Sequence, residues 1–224
     1  NYIFQMAEVF EEVYSFYIDT LNFSAPVSDP ASDDILYDVF VENLPTYYFG
    51  ITYTKNTSVS SPACVSYIKM RNNYDGSQFS EHTELENVQV TAVHEFFHAI
   101  QFSYNCYERF WFMEATAVWS EDELYNNVND HYRYISSWFS NINKSLDDES
   151  SHMYGSFIFF QYIDEHLGGP NTIRLCWEKS HELASPIQDN SIESINAALS
   201  DLGSSIEETY LRMRIANKIM NTNA

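Results

Sequence analysis

The run Val90–Tyr104, VTAVHEFFHAIQFSY, sets two histidines and a glutamate inside an otherwise apolar stretch. Its flanking residues Val93, Phe96, Phe97, Ala99 and Ile100 make it a buried helix rather than a surface one. On a helix, His94 and His98 stand one turn apart, about 40° apart in projection, so both imidazoles can grip one metal ion. Glu95 projects beside that face. Zinc held in this way lowers the pKa of a bound water towards ~7, and a neighbouring carboxylate can take its proton during attack on a carbonyl. HExxH by itself also fits a helix with two ordinary histidines. Against that reading, polar groups buried in an apolar helix are costly unless paired or metal-bound.

The next segment, Trp111-Phe112-Met113-Glu114-Ala115-Thr116-Ala117, offers another carboxylate in apolar surroundings. Glu114, from a neighbouring antiparallel helix, would complete a site of two His and one Glu with one open position. Further out, three-and-four apolar spacing predicts a helix over residues 2–22. Residues 24–34 read as loop. Ile35–Val41 and Tyr47–Thr54 are rich in β-branched and aromatic residues and read as neighbouring strands, with Cys64–Arg71 a third. Residues 77–87 read as polar loop. Helices are expected over 88–104, 110–125, 132–141, 152–166, 171–181, 191–201 and 205–220, the fourth stopped by Gly168-Gly169-Pro170. This predicts an α+β fold: a small N-terminal mixed sheet with the metal-binding helix, then a mainly helical C-terminal lobe. The chain is expected to form one domain over 1–224, with lobes at 1–105 and 106–224 and a cleft between them.

The chain has 224 residues, with 11 Lys and Arg against 32 Asp and Glu, a formal charge of −21. That balance cannot build a large basic face, so nucleic acid is not an expected partner. No run of about 18 apolar residues exists, so membrane insertion is not expected. Cys64, Cys106 and Cys176 allow at most one internal bridge and form no CxxC site. Beginning at Asn1, the sequence is expected to be a processed chain or an excised fragment. Asn22, Asn56 and Asn143 open glycosylation sequons.

HExxH followed by a WxxEAxA-like segment resembles the gluzincin metallopeptidases. The resemblance implies His94, His98 and Glu114 as zinc ligands and Glu95 as general base. Fifteen residues separate His98 from Glu114, a shorter gap than thermolysin-like and membrane-alanyl-aminopeptidase-like enzymes use. The longer run is similar to a group of secreted metallopeptidases of bacteria and archaea. The matching pieces are Tyr67–Tyr74, Val90–Tyr104, Trp111–Tyr125, Tyr154–Leu167 and Ile173–Trp177. The resemblance implies a zincin-like fold, an extracellular or cell-surface location and a peptide or protein substrate. It also implies an edge strand, here Val65–Lys69, that pairs with the substrate backbone.

An oxyanion needs a donor besides the metal. Tyr154, opening a helix beside Gly155, is the candidate, with His152 as runner-up. A zinc-bound His donates its second N–H to a carboxylate or carbonyl. Glu121, seven residues after Glu114 on much the same face, or Asp122, could serve. Equally, Glu121-Asp122-Glu123 could be a solvated helix end. His82, His131, His166 and His181 are expected to be surface or packing residues, and Cys106 is not expected to act in catalysis. The expected function is a zinc-dependent peptidase, with endopeptidase as the default. The rivals are an exported binding or adhesion module that keeps a zinc site without cleaving, and a structural zinc site, which would need a fourth protein ligand.

Overall fold

The computed structural model describes residues 1–32, 36–56, 61–184 and 188–221. Helix α1 (Tyr2–Tyr14), capped by the Asn1 side chain, buries Met6, Val9 and Val13. It runs on as a π-helical turn, Ser15–Thr20, rather than as the uninterrupted helix expected to residue 22. The turn carries Tyr17 into the core, where its hydroxyl donates to the Ser120 carbonyl at 2.5 Å.

Three strands follow: β1 (Val39–Glu42), β2 (Gly50–Asn56) and β3 (Val65–Arg71). The sheet is mixed, with β3 in the centre, parallel to β1 and antiparallel to β2. Two expectations are corrected here. The first two strands are not neighbours, and Val65–Lys69 is not an edge but the central strand; the free edge beside α2 (Glu84–Tyr104) belongs to β2. The cause is Arg71, buried at the end of β3. Its guanidinium donates to the carbonyls of Leu44, Pro45 and Tyr48 at 2.9, 2.7 and 2.9 Å. The link between β1 and β2 is thereby folded over the end of β3 instead of closing a tight hairpin. Ile35, the expected start of the first strand, and Thr57-Ser58 of the Asn56 sequon lie outside the described residues.

Helix α2 starts one turn earlier than its apolar pattern. Thr83 and Glu86 form a capping box: the Thr83 hydroxyl accepts from the Glu86 N–H, and the Glu86 carboxylate accepts from the Thr83 N–H. Two of the helix's otherwise unpaired N–H groups are thus satisfied, and the polar 84–87 become its first turn. Helix α3 (Phe110–Tyr125) packs along α2 and is buried on all sides. The helices α4 (Tyr132–Ser140), α5 (His152–Gly155), α6 (Phe157–His166), α7 (Pro170–Leu183), α8 (Ser191–Asp201) and α9 (Ile206–Asn221) complete the fold. The single helix expected over 152–166 is broken at Ser156, whose hydroxyl donates to the Leu146 carbonyl. Gly168 and Gly169 hold φ of 104° and 75°, a left-handed backbone that ends α6. Phe112 of α3 stacks flat on Trp177 of α7 at 4.1 Å.

One hydrophobic cluster runs through both halves, from Met6 to Met213. The architecture is α+β, a three-stranded mixed sheet with a mostly helical remainder. Among the described residues, no helix is long and apolar enough to cross a membrane. Cys64 and Cys106 form a disulfide, tying the start of β3 to the link between α2 and α3. Cys176 is a buried free thiol.

Candidate metal centre

His94 and His98, one turn apart on α2, face Glu114 on the neighbouring α3. Glu114 Oε2 lies 3.2 Å from His94 Nε2, and its Oε1 lies 3.7 Å from His98 Nε2. Candidate ligand atoms of the three residues all lie within 4.8 Å of one another. Tetrahedral zinc with bonds of about 2.1 Å spaces its ligand atoms about 3.4 Å apart, so the donor set fits that metal in kind and in spacing. Among the described residues, this is the one group of three or more His, Cys, Asp or Glu side chains so gathered.

Both rings are fixed from behind. His94 Nδ1 lies 2.7 Å from Glu121 Oε1. His98 Nδ1 lies 2.8 Å from Gln101 Oε1, and Gln101 in turn donates to the Met113 carbonyl and the Thr116 hydroxyl. An acceptor at each Nδ1 keeps the proton there and leaves Nε2 free to ligate. Glu121 is therefore buried against His94, not part of a solvated helix end. Asp122 turns instead to His131, 3.5 Å away. Gln101 is fully buried, but the sequence showed only an amide in an apolar run.

Charge balance reflects this packing. Burial disfavours a charged His94, but Glu114 and Glu121 outweigh it and push its pKa well above the usual range. For Glu114, burial favours the neutral acid, yet His98 and His94 outweigh that and lower its pKa. Burial holds Glu121 up at about 7, with His94 pulling the other way.

Glu95 is buried, and its position depends on β2. The Thr52 hydroxyl is 2.8 Å from the Glu95 carbonyl and 2.7 Å from its Oε2, which leaves Oε1 for chemistry. The strand approaches so closely because residue 50 is glycine. A Cβ there would stand 2.8 Å from both Glu95 Cγ and Thr91 Cγ2.

Two cavities meet at the centre. One, of about 270 Å³, is lined by Gly50, Ile51 and Thr52 of β2 and by Phe102, Phe110 and Met113. The second, of about 360 Å³, runs past Glu121 to Asp130, Arg133 and Tyr134. His94, Glu95, Gly50, Tyr48 and Tyr154 line both. Tyr154 stacks on Tyr134 with ring centroids 5.2 Å apart. Burial, followed by Glu114 and Glu95, pushes its phenol up to about 12, so it stays a proton donor at neutral pH. His152 is not brought into the centre: it lines neither cavity and stacks on Trp138, buried, 4.6 Å between rings. Gly155 gives close approach to Trp138 of α4, not to the ligands. His82 and His181 bond Asp130 and the Tyr104 carbonyl, respectively. Cys106 is spent in its disulfide.

The sequence model of a family of unknown function (DUF6055) matches residues 2–191, a span that includes the whole centre. No curated protein and no solved structure matches the chain.

Proposed function

Since this chain belongs to the DUF6055 family, whose function is unknown, we propose its activity from the centre itself: a zinc-dependent peptidase of the gluzincin type, with a zincin-like fold. The observation that carries this reading is a set of three candidate ligand residues with a fourth residue, the carboxylate Glu95, on the same cavity and outside that set. A binding or structural site needs no such base. Zinc bound there would polarise the scissile carbonyl and acidify a water.

The chain's own residues supply the rest. Glu95 Oε1 accepts the proton of the attacking water and passes it to the leaving amine. The Tyr154 hydroxyl donates to the oxyanion as it forms. The free edge of β2, which lines the first cavity through Gly50, Ile51 and Thr52, suits an extended substrate backbone added as a further strand. Endopeptidase action is the default. The Cys64–Cys106 bond supports an exported protein, since disulfides persist in oxidising compartments.

The test is a mixed peptide library incubated with the zinc-loaded protein and with Glu95→Gln, read by mass spectrometry. Cleavage by the parent alone is the expected result. Zinc at one per chain with no cleavage by either would replace the peptidase with a non-cleaving binding or adhesion module. Tyr154→Phe should cut kcat by about 10²–10³-fold with zinc content unchanged, and Glu114→Ala should lose the zinc.

A further inference from the structure

Arg133 stands out in a chain with so few cations. It is the one Lys or Arg among the described residues lining the two cavities. Its surroundings hold it still. The guanidinium lies 5.2 Å from the Phe49 ring centroid and 5.1 Å from that of Tyr134. Asp130, whose side chain is 2% exposed, pairs with it at 2.5 Å. Asp130 is itself held by His82 Nε2 at 3.0 Å through its other oxygen. An arginine serving only to neutralise Asp130 would be expected to be buried along with it. Instead the Arg133 side chain keeps 35% of its surface exposed, on the wall of the cavity. A guanidinium carries five N–H donors in a planar fork that matches a carboxylate two bonds at a time. Asp130 meets one of its terminal nitrogens.

We propose that Arg133 is a specificity-determining residue that receives a carboxylate of the bound peptide, on the opposite side of the scissile bond from an apolar side chain. Resting on the peptidase reading for the class of ligand, this gives the cleft two unlike ends. The Phe102, Phe110 and Met113 end takes an apolar side chain. The Arg133 end takes an anion, whether the peptide's own C-terminus or an Asp or Glu side chain. Asp130 and the two rings pre-order the guanidinium, so little freedom is lost when the anion arrives.

Binding tests this separately from cleavage. Zinc-loaded Glu95→Gln is titrated by calorimetry with two matched peptide pairs: one ending in a free carboxylate or its amide, the other C-terminally amidated with an interior Glu or Gln. The expected result is on the order of 10–100-fold tighter binding of the anionic member of one pair, the size of a hydrogen-bonded charge contact. The preferred pair identifies whether the anion is a terminus or a side chain. In Glu95→Gln carrying Arg133→Met, the two members should bind alike, with zinc still at one per chain; Arg133→Lys should restore part of the preference. Equal binding within both pairs, no peptide binding, or a preference that survives Arg133→Met would overturn the proposal. Failure of the parent enzyme to cut the library would sink the peptidase reading and leave the binding comparison standing.

Discussion

The two candidate ligand imidazoles are backed by different chemistry, a carboxylate behind His94 and an amide behind His98. A carboxylate raises the basicity of its histidine more than an amide does, so the two supports differ in kind as well as in partner. Removing either should weaken zinc binding by about 10–100-fold. Glu121→Gln keeps the shape but deletes the charge, and Gln101→Leu deletes the acceptor. Competition against a chromogenic chelator reads both, and unchanged affinity in both would show that the supports are idle. His94, Glu95, His98 and Glu114 were legible as residue types at fixed spacing. Glu121 was ambiguous for a geometric reason. Three consecutive acids look solvated, but neighbours on a helix point about 100° apart, and one of the three faces the core. Gln101 was invisible because glutamine is an ordinary helix former, and its burial is set by α3, not by its neighbours in sequence.

Among the elements, the contact between β2 and α2 sets the position of Glu95, and it turns on one missing side chain. Gly50→Ala puts a methyl group where Glu95 Cγ and Thr91 Cγ2 already stand. Overpacking of this kind costs about 1–3 kcal/mol. On the peptidase reading, displacing Glu95 by an ångström or so should lower kcat/KM by about 10²-fold. Zinc content should stay at one per chain, since none of the ligands is touched. Thermal melts and metal analysis beside the kinetics would distinguish a shifted base from a lost site. The sequence showed that strands preceded the metal helix, but not which strand bordered it. Strand order follows from the Arg71 clamp on Leu44, Pro45 and Tyr48, a set of contacts between residues more than twenty positions apart. The start of α2, by contrast, was written locally in Thr83-Glu84-Leu85-Glu86. The polar character of 77–87 hid it.

At the scale of the whole molecule, stability should depend on pH through a buried acid outside the centre. Glu108 accepts from Asn105, Ser180 and Asn190. Burial, followed by the neighbouring Asp189 carboxylate, raises its pKa from 4.5 to about 8. The folded chain then holds a proton that the unfolded chain has released, so this contribution is complete below about pH 4.5 and lost as pH rises through about 8. Glu108→Gln, which mimics the protonated acid, should flatten the melting temperature across that window; an unchanged slope would refute the assignment. The Cys64–Cys106 bond closes a loop with a sequence separation of 42, and loop closure of that length is worth about 4 kcal/mol in the chain-entropy model. Three thiols can pair in three ways, but they differ in timing and in chemistry. Once α7 has docked, burial pushes the Cys176 thiol up to about 12, so almost no thiolate remains to attack a disulfide. A chain threaded N-terminus first into an oxidising space presents Cys64 and Cys106 before Cys176, and the native pair can close before its competitor arrives. Refolded in bulk from the reduced, denatured state, all three thiols compete from the start. Such refolding should scatter into mispaired species that Cys176→Ser abolishes; in an exported chain, the order of delivery would do the work of a disulfide isomerase.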